Sequence, residues 1–361
     1  MFLTRPKFLF TSLPLLLFAV AGSAAAVSYT VTDLATLAEG TTMVIRGPNS
    51  DGVASGGGKV VGANRSIASQ KGLLMAPGQL SRIDGFVGSD YTNVMSVNKA
   101  GTFVGGANTT TGIRAFRGTR DGTIASLPQL AGDSASVAYA INDQGRAAGY
   151  SSGPAGERAV VWERNNTVIP LQGIASTSSR ALGINDRGDV VGTVDTAAGR
   201  RAAFWSGETT GTELAMLGGH ITSEAYSVNA RGDTVGFSGT TEGVRHATLW
   251  QTGGGTVNLG TLTDGLFSEA FGNNDRGQIV GSSTSSKGNR AVIWLNSGPP
   301  QDLNSMLSAP GLVVTKAVGI NNNGTIIAVG RTVMPGDENH DSHDHEQPAR
   351  VLLLTPTGGL K

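Results

Sequence analysis

The chain has no cysteine, which excludes disulfides, thiolate metal sites and thioester-linked lipids from the outset. Charge is scarce as well. Only 15% of the 361 residues are Asp, Glu, Lys or Arg, and 27 basic side chains balance 27 acidic ones. A net charge of zero with no basic cluster offers no electrostatic attraction to nucleic acid or to an anionic membrane. Beyond residue 26 no apolar run approaches the ~20 residues that a membrane-spanning helix needs. Serine is plentiful, yet no G-x-S-x-G or comparable nucleophile elbow occurs.

What abounds is glycine, 53 residues of it, mixed with Thr, Val and Ser. That mixture points to many short strands joined by tight turns. The N-terminus reads differently. Arg5 and Lys7 precede a short apolar stretch, Phe8 to Val20, and small residues follow, with Ala24 and Ala26 in an A-x-A arrangement. This pattern predicts a signal peptide over residues 1–26 and a mature protein from Val27, in the periplasm or secreted. The apolar stretch is short for an uncleaved membrane anchor.

The rest is a repeat. Aligned on the Asn that ends its first strand, it gives Asn98, Asn142, Asn185, Asn229, Asn274 and Asn321, at spacings of 44, 43, 44, 45 and 47 residues. A blurred first copy admits two registers, one through Asn49 and Gly52 and one through Gly58 and Gly62. Each copy holds four strand-like pieces, the first two joined by a turn such as Asn185-Asp-Arg-Gly188. Asn opens such a turn through its side chain, and Gly supplies the positive φ at its end. A tight turn makes its strands antiparallel, which argues against a parallel β-helix. A second Gly follows four residues later (Gly105, Gly149, Gly192, Gly236, Gly281; Ala328 in the last copy), the mark of a close approach by another group.

Four antiparallel strands in ~44 residues, repeated about seven times, predict an all-β propeller of seven four-stranded blades in a single domain over residues 27–361. Tyr29–Leu37 resembles a fourth strand without the preceding three, and Ala349–Leu354 a third strand without a full fourth. The N-terminal strand is therefore expected to complete the last blade and close the ring, rather than leave an open solenoid.

Residues fixed from copy to copy serve the scaffold. Trp162, Trp205, Trp250 and Trp294 are expected between blades. Arg114, Arg158, Arg201, Arg290 and Arg350, with His246 in one copy, are expected on turn carbonyls or aromatic faces. Asp143, Asp186 and Asp275 in the turns lack the D-x-D-x-D-G pattern of a calcium loop. Residues that vary are the better functional candidates. Five positions before the Asn stand Asn93, Val137, Arg180, Glu224, Glu269 and Lys316, expected near one rim of the channel. Glu224 and Glu269 are the candidate acid/base couple, with Arg180 and Lys316 beside them. The competing reading is a solvated rim of ion pairs. An insertion, Asp337–Glu346, carries His340, His343 and His345, weak candidates for adventitious divalent-metal binding; no cofactor is otherwise expected.

The run I-N-D-x-G-x-V-V-G of Ile184–Gly192 followed by R-A-x-x-W of Arg201–Trp205 resembles the HAF repeat of bacterial extracellular proteins. The likeness covers nearly the whole mature chain. It departs from the pattern in the first copy, at Gly118 where Trp is expected, and in the His/Asp insertion. The resemblance implies secretion and a propeller-like fold and carries over no catalytic residues. The function expected is a monomeric, non-catalytic binding or interaction scaffold for an envelope or matrix ligand, polysaccharide or protein. The alternative is a secreted lyase or glycoside hydrolase with its site at the channel mouth.

Overall fold

A computed structural model describes residues 27–37, 44–58, 70–333 and 348–357. The expected signal segment 1–26, Gly62 of the alternative first register, and the insertion with His340, His343 and His345 lie outside these residues.

Seven four-stranded antiparallel sheets stand as blades around a central channel, the architecture expected from the repeat. Blades 1 to 6 are consecutive in sequence, their inner strands being Val44–Arg46, Thr92–Val97, Ala135–Ile141, Ser178–Ile184, Thr222–Val228 and Ser268–Asn273. Blade 7 runs outward through Leu312–Ile320, Ile326–Thr332 and Arg350–Thr357, and its outer strand is the N-terminal Ser28–Thr36. The closing register extends from Ser28 opposite Thr357 to Thr36 opposite Arg350. Pairing there covers the edge that the last blade would otherwise expose. Arg350 also reaches Asp33 across this seam at 2.6 Å.

The turn chemistry is as the sequence dictates. In blade 4 the Asn185 N–H bonds the Asp189 carbonyl at 3.0 Å, and the Gly188 N–H returns to the Asn185 carbonyl at 3.1 Å. Gly188 sits at φ 87°, where a side chain is strained. In the first copy, Gly52 bonds Asn49 in the same way, so the register through Asn49 and Gly52 is the one adopted. The second glycine answers to crowding. A Cβ on Gly192 would lie 1.9 Å from the Arg180 carbonyl oxygen of its own inner strand.

Apolar burial is concentrated between blades, not within one. One cluster joins Val104, Ala115 and Leu127 of blade 2 to Ala138, Val160 and Trp162 of blade 3, and equivalent clusters fill the other interfaces. A single sheet cannot bury both faces, so stacking neighbours supplies the core. The tryptophans lie there, buried. Trp162, Trp250 and Trp294 donate their indole N–H to Pro128, Ala215 and Leu259 carbonyls at 2.6–2.7 Å, each just past the outer strand of the preceding blade. The recurrent arginines work away from the channel: Arg158 pairs with Asp133 at 2.7 Å, and Arg201 bonds the Ala198 carbonyl at 2.6 Å.

Candidate functional site

Each inner strand runs down to an Asn turn, and the second strand returns to a hairpin at the opposite end. The channel therefore has an asparagine face and a hairpin face. At the first, the seven repeat asparagines form a closed belt. Asn49 donates its side-chain N–H to the Asn98 carbonyl, Asn98 to Asn142, Asn142 to Asn185, Asn185 to Asn229, Asn229 to Asn274, Asn274 to Asn321 and Asn321 back to Asn49, all at 2.8–3.1 Å. The Oδ1 of each accepts from its own turn, as Asn142 does from the Arg146 N–H at 2.8 Å. One amide thus folds a turn and ties two blades. The turn aspartates form a second tie: Asp143 accepts from the Lys99 N–H at 2.9 Å, Asp186 from Asp143 at 2.8 Å and Asp275 from Ala230 at 2.7 Å.

Above the belt the inner strands converge. Two positions before each Asn stands a small residue, namely Gly47, Ser96, Ala140, Gly183, Ser227, Gly272 or Gly319. A Cβ on Gly272 would come within 2.9 Å of the Gly319 backbone of the next blade. One position earlier, blades 2 to 7 carry a β-bulge, at Met95, Tyr139, Leu182, Tyr226, Phe271 and Val318. A bulge interrupts side-chain alternation and re-aims the unpaired residue. Here the bulge residues, with Arg46 in blade 1, line a channel cavity of about 360 Å³ that extends to the asparagine belt.

The hairpin-side mouth holds the positions five before the Asn. In blades 2 to 6 each meets a residue on, or just ahead of, the third strand of the preceding blade, and the two are chemically matched. Gln70 donates to Asn93 at 2.5 Å. Ile113 and Val137 converge over Gly106. Arg180 grips Glu157 with two hydrogen bonds, one of 2.7 Å. Arg200, shared with Asp195, reaches Glu224 at 3.1 Å, and Arg245 reaches Glu269 at 2.6 Å. At the sixth interface the match fails: the third-strand position equivalent to Glu157 and Arg200 is Asn289, which carries no charge for Lys316. The Lys316 ammonium lies instead over the Phe271 ring, 3.8 Å from its centroid.

Aromatic side chains surround this mouth. Phe271 stacks on Tyr226 with centroids 5.7 Å apart, Tyr226 meets Phe237 at 6.0 Å, and the Arg245 guanidinium covers Phe237 at 4.6 Å. Across the channel Tyr139 meets Tyr150 at 5.9 Å, under the Arg180 guanidinium. The Tyr91 hydroxyl accepts from Asn93. Four of the chain's five tyrosines are therefore at one place. Burial, then Glu224 and Glu269, hold the Tyr226 phenol far above its usual range, and burial pushes Tyr150 up to about 12. Both hydroxyls stay protonated at neutral pH, and the Tyr226 hydroxyl is engaged with Glu224.

The structure thus places Arg180, Glu224, Glu269 and Lys316 on one rim, but pairs the first three with Glu157, Arg200 and Arg245 rather than with one another. Sequence reasoning missed Arg46, Tyr139, Tyr226 and Phe271. Their signal was the large residue directly ahead of a small one that recurs in every copy, three positions before the Asn.

No family model and no curated protein sequence matches the chain. Among solved structures the fold is similar to a streptogramin B lyase, at 10% identity over 91% of this chain and 98% of that one, with a TM-score of 0.55. It is similar to YCF48 bound to a D1 peptide, at 12% identity over 92% and 97% of the two chains, TM-score 0.50. A puromycin-hydrolysing peptidase of Mycobacterium tuberculosis gives 11% identity and a TM-score of 0.53, over 80% of this chain and 49% of that one. At such identities the likeness is one of fold, and it spans enzymes and a peptide binder alike.

Proposed function

We propose that the chain is an exported, non-catalytic binding propeller that receives its ligand at the hairpin-side mouth of the channel, at the cell envelope or in the extracellular matrix. The observation that carries this reading is a contrast at that mouth. Tyrosines and cations are gathered there, while Glu157, Glu224 and Glu269 are each bound to an arginine. A general acid needs a carboxyl free to hold and release a proton. Here the carboxylate oxygens are taken up by guanidinium groups across the blade interfaces, and the three glutamates tie neighbouring blades together. Export is supported by the pattern of residues 1–26, and membership of the HAF-repeat family by the repeat motif.

The test incubates residues 27–361 with soluble and insoluble envelope and matrix polysaccharides, following protein retention and release of small products. Retention without products is expected. Product release that disappears in the Glu224→Gln, Glu269→Gln double variant would establish a hydrolase or lyase instead.

A further inference from the structure

Once each glutamate at the hairpin-side mouth is assigned its arginine, two cations remain. Lys316 of blade 7 has Asn289 where the neighbouring interfaces offer Glu157, Arg200 or Arg245, and it rests on Phe271. Arg46 of the adjoining blade 1 lines the channel with Tyr139 and Tyr226. Among the described residues neither makes an ion pair with a carboxylate. Both side chains are half-buried. Burial lowers the Lys316 pKa; Glu269 opposes this and Arg46 adds to it. Lys316 rests on Phe271, which lines the same cavity as Arg46; two partly desolvated like charges around one cavity oppose folding, and neutral side chains of similar size would serve the scaffold better. Their placement makes sense as a receptor for an anion. The guanidinium fork matches a carboxylate in two hydrogen bonds, and the ammonium supplies a second charge.

The surrounding groups narrow the ligand. Tyr91, Tyr139, Tyr150 and Tyr226 offer rings with hydrogen-bonding tips, which suit a hydroxylated ligand better than an apolar one. The phenyl face of Phe271 is already covered by Lys316, so recognition falls to hydroxyls and charge. We propose that Arg46 and Lys316 form an anion site for the carboxylate of a uronic acid, whether a free sugar acid or the end of an acidic polysaccharide. This rests on the binding reading above and names its ligand class.

The experiment titrates the protein with galacturonate, galactose and a short oligogalacturonate by calorimetry, and repeats it with Arg46→Met and Lys316→Met. Galacturonate is expected to bind, and galactose at least about tenfold more weakly, because it lacks the charge-assisted pair. Each variant should lose about tenfold in galacturonate affinity while its thermal midpoint is unchanged or raised, an outcome that a structural cation does not give. Tighter binding of the oligomer assigns the polymer end, and equal binding the free sugar acid. Equal binding of galactose and galacturonate, unchanged affinity in both variants, or a lowered midpoint in both would overturn the proposal. If galacturonate fails to bind while the protein is retained on a polysaccharide, the anion site falls and the binding scaffold stands. If retention fails too, both fall.

Discussion

Replacing one asparagine of the belt should cost far more than its size suggests. Asn142 is 4% exposed, donates to the Asn185 carbonyl at 3.0 Å and accepts from the Arg146 N–H at 2.8 Å. In Asn142→Ala both bonds go, at about 1 kcal/mol each, and the Arg146 N–H loses its acceptor, which adds about 1–2 kcal/mol. The total is about 3 kcal/mol. At about 2 °C per kcal/mol for a domain of this size, the thermal midpoint should fall by about 6 °C. Asn142→Asp separates the two roles. It keeps the acceptor but sets a carboxylate against the Asn185 carbonyl, which raises its folded-state pKa above the unfolded value of about 4. A raised acid is least harmful below that unfolded value and most harmful above the folded one, so the deficit should grow from pH 4 to pH 7. The assay is thermal unfolding followed by circular dichroism, with the exposed Lys287→Ala as reference. A midpoint for Asn142→Ala within 1 °C of that reference, or an Asp variant indifferent to pH, would refute the belt as a tie between blades.

Four further outcomes are expected. Gly192→Ala should destabilise by about 3 kcal/mol because its Cβ meets the Arg180 carbonyl at 1.9 Å, whereas Gly218→Ala, with nothing within 4 Å, should stay within about 0.5 kcal/mol in urea unfolding. Exchanging Glu157 and Arg180 as a pair should recover most of what each single change loses, with a coupling of about 1 kcal/mol in a double-mutant cycle; no coupling would deny the matched-interface reading. Burial and the adjacent His220 hold His246 below the ordinary histidine pKa, with ring centroids 5.3 Å apart. The unfolded chain then binds the extra proton, so stability should drop as pH falls below about 6.5, and His246→Gln should flatten that slope in midpoints measured from pH 7.5 to 5.5. A chain beginning at residue 38 lacks the strand that pairs with Arg350–Thr357 and should elute as aggregates where one beginning at residue 27 does not.

The repeat by itself determined the architecture. Asn and Gly at the ends of each inner turn act within four residues, so their meaning is local and legible in every clear copy. Their spacing set the blade, their number the ring, and the unmatched strands at Tyr29–Leu37 and Ala349–Leu354 its closure. The first register was undecided locally, because Gly52 and Gly58 both satisfy a turn. The folded turn, with Gly52 bonded to Asn49, and the bond from Asn321 to the Asn49 carbonyl across the closed ring distinguish them. The mouth of the channel was likewise a tertiary outcome. Variation at Arg180, Glu224 and Glu269 reads as functional along one strand, but it is matched by Glu157, Arg200 and Arg245 on neighbouring blades, 23 or 24 residues away. Alternation of in and out along a strand cannot place Tyr139, Tyr226 or Phe271, since each sits on a bulge that resets that alternation. Lys316 stands out only when all these pairings are laid side by side, because a missing partner is a property of the assembled ring.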